Sequence, residues 1–337
     1  MTQLKEAVIV ASRRSAVGKA PRGVLRNTRP DDLGIEVLKK TLDSVEGLDL
    51  SVLDDVQIGS ATPEAEQGLN VARMIALGAG LPNSSSAVTV NRFCSSGLQT
   101  IANIAERIMI GAIDGGVGGG VESMSMIPMG GHNALPSPQL VATRPDLYIS
   151  MGLTAENVAQ RFEVSREDQD AFALESHKRA LAAIEAGKFD EIVSVTTAEG
   201  KTFEVDEGPR AGSTIEALAG LRPVFHVKGS VTAGNSSQTS DGAAMTILTS
   251  AEKAKEMGLT PLARFVGFAT AGVDPDIMGI GPIEAIPKVL KQTGLKVEDI
   301  DLFELNEAFA SQSLAVIRKL GLDPAKVNVN GGAIALG

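Results

Sequence analysis

The chain has 337 residues, of which 43% are hydrophobic and 21% charged, as in a globular protein with one large or two smaller domains. A formal net charge of −10, no Trp and one Tyr argue against nucleic acid as a partner. The single cysteine excludes an intrachain disulfide and a Cys-rich zinc site, and the three histidines show no metal-ligand spacing. The first residues enter a strand pattern directly, and no apolar run approaches about 18 residues, so we expect a cytoplasmic protein without bound metal or membrane contact.

The N-terminal part alternates predicted strands and helices, as α/β proteins do. Apolar positions recur every second residue in the predicted strands and every third or fourth residue in the predicted helices. In chain order, these elements are a buried strand at Glu6–Ser12, a helix capped by Asp31 or Asp32, a short strand at Val56–Gly59 and a helix at Gly68–Gly80.

The only cysteine stands inside the next predicted strand and helix. Ala87–Asn91 has the composition of a buried strand, and the apolar residues from Leu98 to Met109 have helical spacing. Cys94 is therefore expected at the first turn of a helix, where free N–H groups and the helix dipole lower the pKa of a thiol. This makes it a candidate nucleophile. The alternative is a small buried apolar residue, and spacing alone does not separate the two.

The composition changes between about Met124 and Ser230. Prolines cluster there, and two polar helices follow, the second opening with a capping sequence at Ser165–Asp168. We interpret this region as an inserted subdomain, because it breaks the alternation of strands and helices.

After about Thr260 the order of elements in the first half repeats. We predict strands at Ala243–Leu248, Arg264–Ala269, Leu302–Leu305 and Val327–Gly332 in this half. A repeat favours a duplicated βαβ architecture. We divide the chain into an N-terminal half at 1–123, an inserted subdomain at 124–230 and a C-terminal half at 231–337. The second copy stops seven residues after Asn330, so we expect it to lack a central helix and at least one strand.

Eight segments resemble the sequence blocks of the thiolase family, in the family's order. They are VNRFCSSGLQ, GGVESMS, MGLTAENVA, LRPVF, VTAGNSSQTSDGAA, MGIGP, LFELNEAFASQ and VNVNGGAIALG. The resemblance runs from Ala7 to Gly337. It implies a fold of duplicated βαβαβ units in α-β-α-β-α layers, with an inserted loop subdomain and an incomplete second half. The closest subclass is that of the 3-ketoacyl-CoA thiolases of fatty-acid β-oxidation, since Ser150 stands where biosynthetic members usually carry His.

The resemblance implies that Cys94 attacks the keto carbon of a 3-ketoacyl-CoA and becomes acylated. A second CoA then collects the acyl group. A thiolate suits this exchange because it is both a good nucleophile and a good leaving group. Asn306 matches the family residue that holds a water in one oxyanion hole, and the backbone N–H of Cys94 matches a donor of the other. Read from the sequence alone, Asn306 is a helix N-cap, and both roles can hold at once.

Coenzyme A is implied as a co-substrate rather than as a permanently bound cofactor. Arg222 matches a position near the adenine, and Ser237 matches one near the pantetheine amide. Four apolar residues match the lining of the pantetheine and acyl pocket, although without the resemblance they would be ordinary core residues: Met151, Phe225, Met278 and Phe309. By the same resemblance, we expect a homodimer or a homotetramer.

The family continues after GGAIALG with an activating His and later with a second Cys, and neither is present here. We therefore expect this chain, as it stands, to be inactive or nearly so. The alternatives are a biosynthetic thiolase that forms acetoacetyl-CoA, a non-catalytic CoA-binding protein, and a fragment without function. A carrier-protein synthase of the same superfamily is disfavoured by the loop at Asn235–Gly242.

Overall fold

The computed structural model of the protein describes residues 4–337, which divide into two compact units. Unit 1 contains the described residues up to Asn133 together with Glu191–Glu207 and Thr239–Val266. Unit 2 contains Ala134–Asp190, Gly208–Gln238 and Gly267–Gly337. The three-part division of the chain stays a prediction.

Unit 1 is built on a mixed sheet of seven strands in the order β4-β3-β5-β8-β1-β9, with β2 paired to β8. The strands β4, β3 and β5 are parallel, and β5, β8, β1 and β9 pair antiparallel. A two-stranded sheet of β6 and β7 completes the unit. The strands are β1 Ala7–Arg14, β2 Gly18–Lys19, β3 Leu53–Gly59, β4 Ser86–Val90, β5 Gly115–Ser123, β6 Val195–Thr196, β7 Thr202–Phe203, β8 Ser240–Ser250 and β9 Ala263–Arg264.

Helices cover both faces of this sheet. They are α1 Pro30–Asp43, α2 Val71–Gly78, α3 Ser96–Met109 and α8 Ala251–Glu256. Successive residues of a strand point to opposite faces, so Ile247 joins the core beneath α1 and α2, whereas Leu248 joins the core beneath α3. Both side chains are fully buried, and each such burial contributes roughly 1.5–3 kcal/mol. The α/β expectation for this half is confirmed, with two corrections. The strand β4 is a half-exposed edge strand rather than a buried one. The N-cap residue of α1 is Arg29, so Asp31 and Asp32 lie in the first turn of the helix and do not cap it.

Glycines let α3 lie directly on the sheet. A Cβ at Gly118 would come within 2.7 Å of Ile101 Cα, and one at Gly59 within 2.6 Å of the Ser96 carbonyl carbon. The Thr100 hydroxyl lies 2.9 Å from both the carbonyl oxygen and the amide nitrogen of Gly119, which ties the helix to β5. The glycine-rich strand therefore fixes the height of the N-terminal end of α3 above the carboxyl ends of β3 and β5.

Unit 2 is mainly helical. Its helices are α4 Pro138–Thr143, α5 Met151–Arg161, α6 Arg166–Glu185, α7 Ile215–Ala219, α9 Gly281–Thr293 and α10 Ala310–Leu320. The two polar helices predicted from the sequence are α5 and α6, and the capping sequence is confirmed because the Ser165 side chain accepts a hydrogen bond from the Asp168 amide.

Of the strands predicted in the C-terminal half, Ala243–Leu248 forms as part of β8, whereas the three that follow it do not form as regular strands. In place of the predicted strand Arg264–Ala269 there is only the two-residue strand β9, Ala263–Arg264. The predicted strands Leu302–Leu305 and Val327–Gly332 meet in a single parallel bridge between Phe303 and Val327. The reason lies at Asn328, whose φ of +48° leaves the extended region. Its side-chain amide takes both the N–H and the C=O of Leu305 at 2.8 Å, in place of a backbone ladder.

Within the part of the chain that the structure describes, no helix is both long enough and apolar enough to span a membrane.

Candidate active site

Cys94 lies in a 3-10 turn, Phe93–Ser95, between the end of β4 and the start of α3. This confirms the predicted strand–turn–helix position. The turn is held tightly, because the Phe93 amide donates to Asn91 Oδ1 at 2.8 Å and the Arg92 amide donates to Ser96 Oγ at 2.8 Å. Phe93 has a φ of +46°, which is rare outside glycine and places backbone strain immediately beside the nucleophile.

Cys94 is exposed, which rules out the alternative of a buried apolar cysteine. The prediction of a lowered thiol pKa is wrong in this structure. Surrounding protein removes part of the hydration of the sulfur and raises the pKa of Cys94, and the negative charge of Glu122 raises it further. The hydrogen bond from the residue's own backbone N–H acts in the opposite direction and is outweighed. The thiol therefore needs a proton acceptor before it can attack.

Glu122 stands at the carboxyl end of β5 and holds the loop that follows β3. Its carboxylate accepts the Ala61 amide at 2.6 Å and the Thr62 amide at 3.3 Å, and it also accepts a hydrogen bond from the Gln67 side chain. Desolvation raises the pKa of Glu122, and these donors counteract it. Because the partners of the carboxylate are hydrogen-bond donors, they are best satisfied by its ionised form.

Asn306 lies in unit 2, in the turn that precedes α10. The helix begins at Ala310 with Phe309 as the N-cap residue, so the interpretation of Asn306 as a helix cap is wrong. Asn306 is exposed, and its side-chain amide makes no hydrogen bond to the described residues of unit 2. The amide is therefore free to orient a water or an oxyanion, as the family motif implies.

The next residue, Glu307, is a buried carboxyl group that ties this turn to the last segment of the chain. It is only 2% exposed. It accepts hydrogen bonds from the Ser176 hydroxyl at 2.7 Å, the Asn328 side chain at 2.8 Å and the Ile334 amide at 3.2 Å. Burial raises the pKa of Glu307 against the effect of these donors and of the Arg179 charge.

We expect Glu307 to make the stability of the protein depend on pH. Its pKa is higher in the folded state than in the unfolded state, so the folded state holds the proton more tightly. The free energy of unfolding should therefore fall as pH rises from about 4.3, the ordinary glutamate pKa, and level off above the folded pKa. Urea unfolding from pH 4 to 8 should show this decline in the natural protein and a flatter profile in Glu307→Gln. Glu185→Gln, at an exposed site on α6, is the control and should follow the natural profile; parallel profiles for all three proteins would contradict the expectation.

The residues matched to CoA binding all lie in unit 2, and the structure brings several of them together. The Phe225 ring packs edge-on against Phe309 with centroids 6.0 Å apart. A Cβ at Gly152 would lie 2.1 Å from the Phe225 ring, so this ring rests on the start of α5 beside Met151. Met278 is 43% exposed in the Pro275–Ile280 turn, which joins α5 through a 2.8 Å hydrogen bond from Asn157 to the Asp276 carbonyl.

Ser237 and Arg222 occupy different surroundings within this unit. The Ser237 amide donates to the Ala308 carbonyl at 2.9 Å, and its hydroxyl donates to the Ala333 carbonyl at 3.0 Å. The hydroxyl oxygen can still accept a hydrogen bond, for example from an amide of a ligand. Arg222 is exposed, and the carbonyl of the preceding Leu221 is fixed by Arg166 Nη2 at 2.9 Å.

Sequence reasoning missed the two carboxylates, Glu122 and Glu307. Both lie inside motifs that were recognised, GGVESMS and NEAFASQ, yet neither was assigned a role. The available signal was a charged residue at the end of an otherwise apolar segment, which is expensive to bury without partners. Over residues 4–337, no group of three or more His, Cys, Asp or Glu side chains is placed to hold a metal ion.

Comparisons with known proteins identify the family. Residues 7–252 match the model of the thiolase N-terminal domain, and residues 259–337 match that of the thiolase C-terminal domain. The chain belongs to the thiolase family. A 3-ketoacyl-CoA thiolase of Bacillus subtilis is 56% identical over 99% of this chain and 88% of its own length. An acetyl-CoA acetyltransferase of Pseudomonas aeruginosa is 46% identical over the same shares, 99% and 88%.

Solved thiolase structures confirm the fold. The dimeric peroxisomal thiolase of Saccharomyces cerevisiae superposes with a TM-score of 0.93 at 41% identity, over 100% of this chain and 88% of that chain. The acetyl-CoA acetyltransferase of Bacillus anthracis gives a TM-score of 0.91 at 43% identity, over 100% and 89%. The thiolase fold expected from the motifs is therefore established for this chain.

Proposed function

We propose that this protein is an acyltransferase that cleaves 3-ketoacyl-CoA with CoA, giving acetyl-CoA and a shortened acyl-CoA, as in fatty-acid β-oxidation. The observation that carries the proposal is the exposed Cys94 in its strained turn at the start of α3. Membership of the thiolase family and the 56% identity to a 3-ketoacyl-CoA thiolase support this direction. The second candidate is the reverse condensation to acetoacetyl-CoA, which the similarity to acetyl-CoA acetyltransferases favours.

The chemistry needs one nucleophile and two stabilised oxyanions. The Cys94 sulfur attacks the 3-keto carbon, the bond between C2 and C3 breaks, and its electron pair passes to C2, which takes a proton and leaves as acetyl-CoA. CoA sulfur then attacks the acyl thioester and displaces Cys94 as a thiolate. A thioester exchange of this kind suits sulfur at both steps. Asn306 and the Cys94 amide are the donors that we assign to the developing negative charge.

The raised pKa of Cys94 defines what the first step requires. The thiol must transfer its proton to a base before or during attack, and the charge of Glu122 makes that transfer harder. Acylation of Cys94 can be measured apart from turnover, because it leaves a covalent mark on the protein.

The test of the proposed function is a thiolysis assay with acetoacetyl-CoA and longer 3-ketoacyl-CoA substrates. Consumption of the ketoacyl-CoA should depend on added CoA, and acetyl-CoA should appear together with the shortened acyl-CoA. Condensation of acetyl-CoA in the absence of ketoacyl-CoA, with no thiolysis, would instead favour the biosynthetic candidate. Binding of CoA without either reaction would leave only a non-catalytic CoA-binding protein.

Asn306→Ala should lower the rate of acyl transfer about 100-fold to 1,000-fold, which is the usual effect of removing one oxyanion donor. The residue is exposed and outside α10, so the substitution should leave the melting temperature nearly unchanged. The rate at which iodoacetamide alkylates Cys94 should also stay the same, since the nucleophile itself is intact. An acyl-transfer rate within threefold of the natural protein would remove Asn306 from the mechanism.

We assign the CoA contacts to unit 2. Arg222 would stack against or pair with the adenine end, and the Ser237 hydroxyl would accept a hydrogen bond from the pantetheine amide. The apolar walls would come from Phe225 together with Met151, Met278 and Phe309. CoA is a co-substrate in this proposal. Arg222→Ala should raise the dissociation constant of CoA in calorimetry, and an unchanged constant would exclude the adenine contact.

We further propose that the protein is a homodimer paired through β4. Among residues 4–337 this strand lies at the edge of the sheet and pairs with β3 alone, and Val88 on it is 42% exposed. An open edge with an exposed apolar side chain is a ready site for strand pairing. Light scattering should give the mass of a dimer for the natural protein and of a monomer for Val88→Lys. A monomeric natural protein, or a tetramer unaffected by Val88→Lys, would contradict this assignment.

The cytoplasmic location expected from the sequence is likewise a proposal. The chain is similar both to the Bacillus subtilis protein and to relatives whose names call them peroxisomal.

A further inference from the structure

We propose that Glu122 is a positioning residue for the Cys94 nucleophile, acting through the loop 60–62 and Asn91. The proposal rests on the proposed acyl transfer by Cys94 and adds a residue to it. Glu122 does not belong to the nucleophile turn, and its residue number is 28 positions away from Cys94. Both residues lie at the carboxyl ends of the parallel strands β4, β3 and β5: Cys94 just after β4, and Glu122 at the end of β5.

The loop 60–62 is held at one end by Glu122. The carboxylate accepts the Ala61 amide at 2.6 Å and the Thr62 amide at 3.3 Å. Gln67, which is fully buried, donates to the same carboxylate and to the Thr62 carbonyl, and accepts the Ser123 amide at 3.0 Å. Because each polar group in this cluster is matched by a partner, the loop has one well-defined position.

The same loop holds the nucleophile turn at its other end. The Ser60 amide donates to the Val90 carbonyl at 3.0 Å, and the Ala61 carbonyl accepts the Asn91 side chain at 2.9 Å. Asn91 Oδ1 then accepts the Phe93 amide at 2.8 Å, one residue before Cys94. A continuous path of hydrogen bonds therefore runs from the Glu122 carboxylate to the turn in which Phe93 is strained.

Glu122 also acts on the thiol through its charge. It is the charged side chain whose field raises the pKa of Cys94, and it adds to the larger effect of desolvation. Two other charged side chains in this part of unit 1 have partners of their own. The Arg92 guanidinium donates to Gln99 at 2.7 Å, and the Glu64 carboxylate accepts the His132 amide at 2.8 Å. The first turn of α3 carries no acidic residue. One carboxylate thus fixes the geometry of the turn and adds to the rise in the pKa of Cys94.

The experiment measures the pH profile of Cys94 alkylation by iodoacetamide, followed by intact mass. The chain has a single cysteine, so every adduct reports Cys94. In Glu122→Gln the charge is removed, and the midpoint of the profile should move to lower pH, with alkylation at pH 7 about threefold to tenfold faster than in the natural protein. Acylation by acetyl-CoA at a pH where the thiol of both proteins is ionised should nevertheless fall about tenfold, because the amide nitrogen that replaces one carboxylate oxygen cannot accept the hydrogen bonds that hold the loop.

Two further variants separate charge from geometry. Asn91→Ala breaks the path without changing a charge, so the alkylation midpoint should stay in place while acylation falls about tenfold. Glu64→Gln removes a neighbouring carboxylate that is not on the path, and it should match the natural protein in both measurements. A cooperative melting transition must be present in each variant, and Asn91, being exposed, provides the test if Glu122→Gln does not fold.

The proposal is overturned if the alkylation midpoint of Glu122→Gln coincides with that of Glu64→Gln, or if Asn91→Ala acylates at the natural rate. If the natural protein is not acylated at all, the proposed function fails, but the alkylation profiles still decide whether Glu122 acts on Cys94. A role of Glu122 in folding alone would lower the melting temperature without moving the midpoint.

Discussion

Cys94→Ser should lower acyl transfer by at least about 10,000-fold, while the fold and the melting temperature stay nearly unchanged. Serine keeps the size and the exposed position of the side chain. Its hydroxyl is far less acidic than a thiol and is a poorer leaving group from an ester than sulfur is from a thioester. The pKa of Cys94 is raised even for a thiol, and a hydroxyl in the same place would be much harder to ionise.

The matched control for this substitution is Ser95→Ala. Ser95 is exposed in the same turn, and its hydroxyl donates only to the Arg92 carbonyl at 3.0 Å. We expect its acyl-transfer rate to stay within about threefold of the natural protein. If Cys94→Ser retained more than a tenth of the natural rate, Cys94 would not be the nucleophile.

Gly118→Ala should destabilise the protein by about 3 kcal/mol, which is large for the addition of one methyl group. The new Cβ would lie 2.7 Å from Ile101 Cα and 2.8 Å from Ile101 N. These are backbone atoms of α3, so no side chain can rotate away, and the helix must move off the sheet. Because the Cys94 turn leads directly into α3, acyl transfer should fall as well.

Gly120→Ala provides the control on the same face of β5. Its nearest neighbour would be the Gly59 carbonyl oxygen at 3.4 Å, an ordinary van der Waals contact. Urea unfolding should therefore show a loss of less than about 1 kcal/mol for Gly120→Ala. Equal losses for the two variants would indicate that the height of α3 above the sheet is not set by glycine.

The position of Cys94 could be predicted because it depends on local pattern. A β-branched segment, a short polar turn and a helical spacing of apolar residues are all visible in the sequence, and the structure has β4, the turn and α3 in that order. The exposure of β4 could not be predicted in the same way. Whether a strand lies in the centre or at the edge of a sheet depends on the order of all the strands, which residue spacing does not contain.

The electrostatic state of the thiol could not be read from the sequence either. The helix terminus next to Cys94 suggests a lowered pKa, but desolvation and Glu122, which comes from a different strand, raise it instead. The two strands predicted at Leu302–Leu305 and Val327–Gly332 do not form, for a local reason that also needs three-dimensional information. The side chain of Asn328 bonds to Leu305 in place of the backbone, and one bridge forms where two strands were expected.

At Asn306 the sequence pattern alone led to a wrong prediction of local structure. Its pattern fits a helix cap, yet α10 begins three residues after Glu307, at Ala310, and leaves the Asn306 amide exposed. Family resemblance supplied the functional interpretation at this position, and geometry removed the competing one. The assignments of Asn306, Arg222 and Ser237 stay proposals until they are measured.

The central claim is that Cys94 carries the acyl group, and the most direct measurement is peptide mass spectrometry after incubation with acetyl-CoA. The incubation should be run at about pH 9 as well as pH 7, because a larger fraction of the thiol is ionised at the higher pH. We expect one acetyl group per chain, on the peptide that contains Cys94, formed faster at pH 9 and removed by added CoA. An acetyl group on any other residue, or no adduct on Cys94 at pH 9, would contradict the claim.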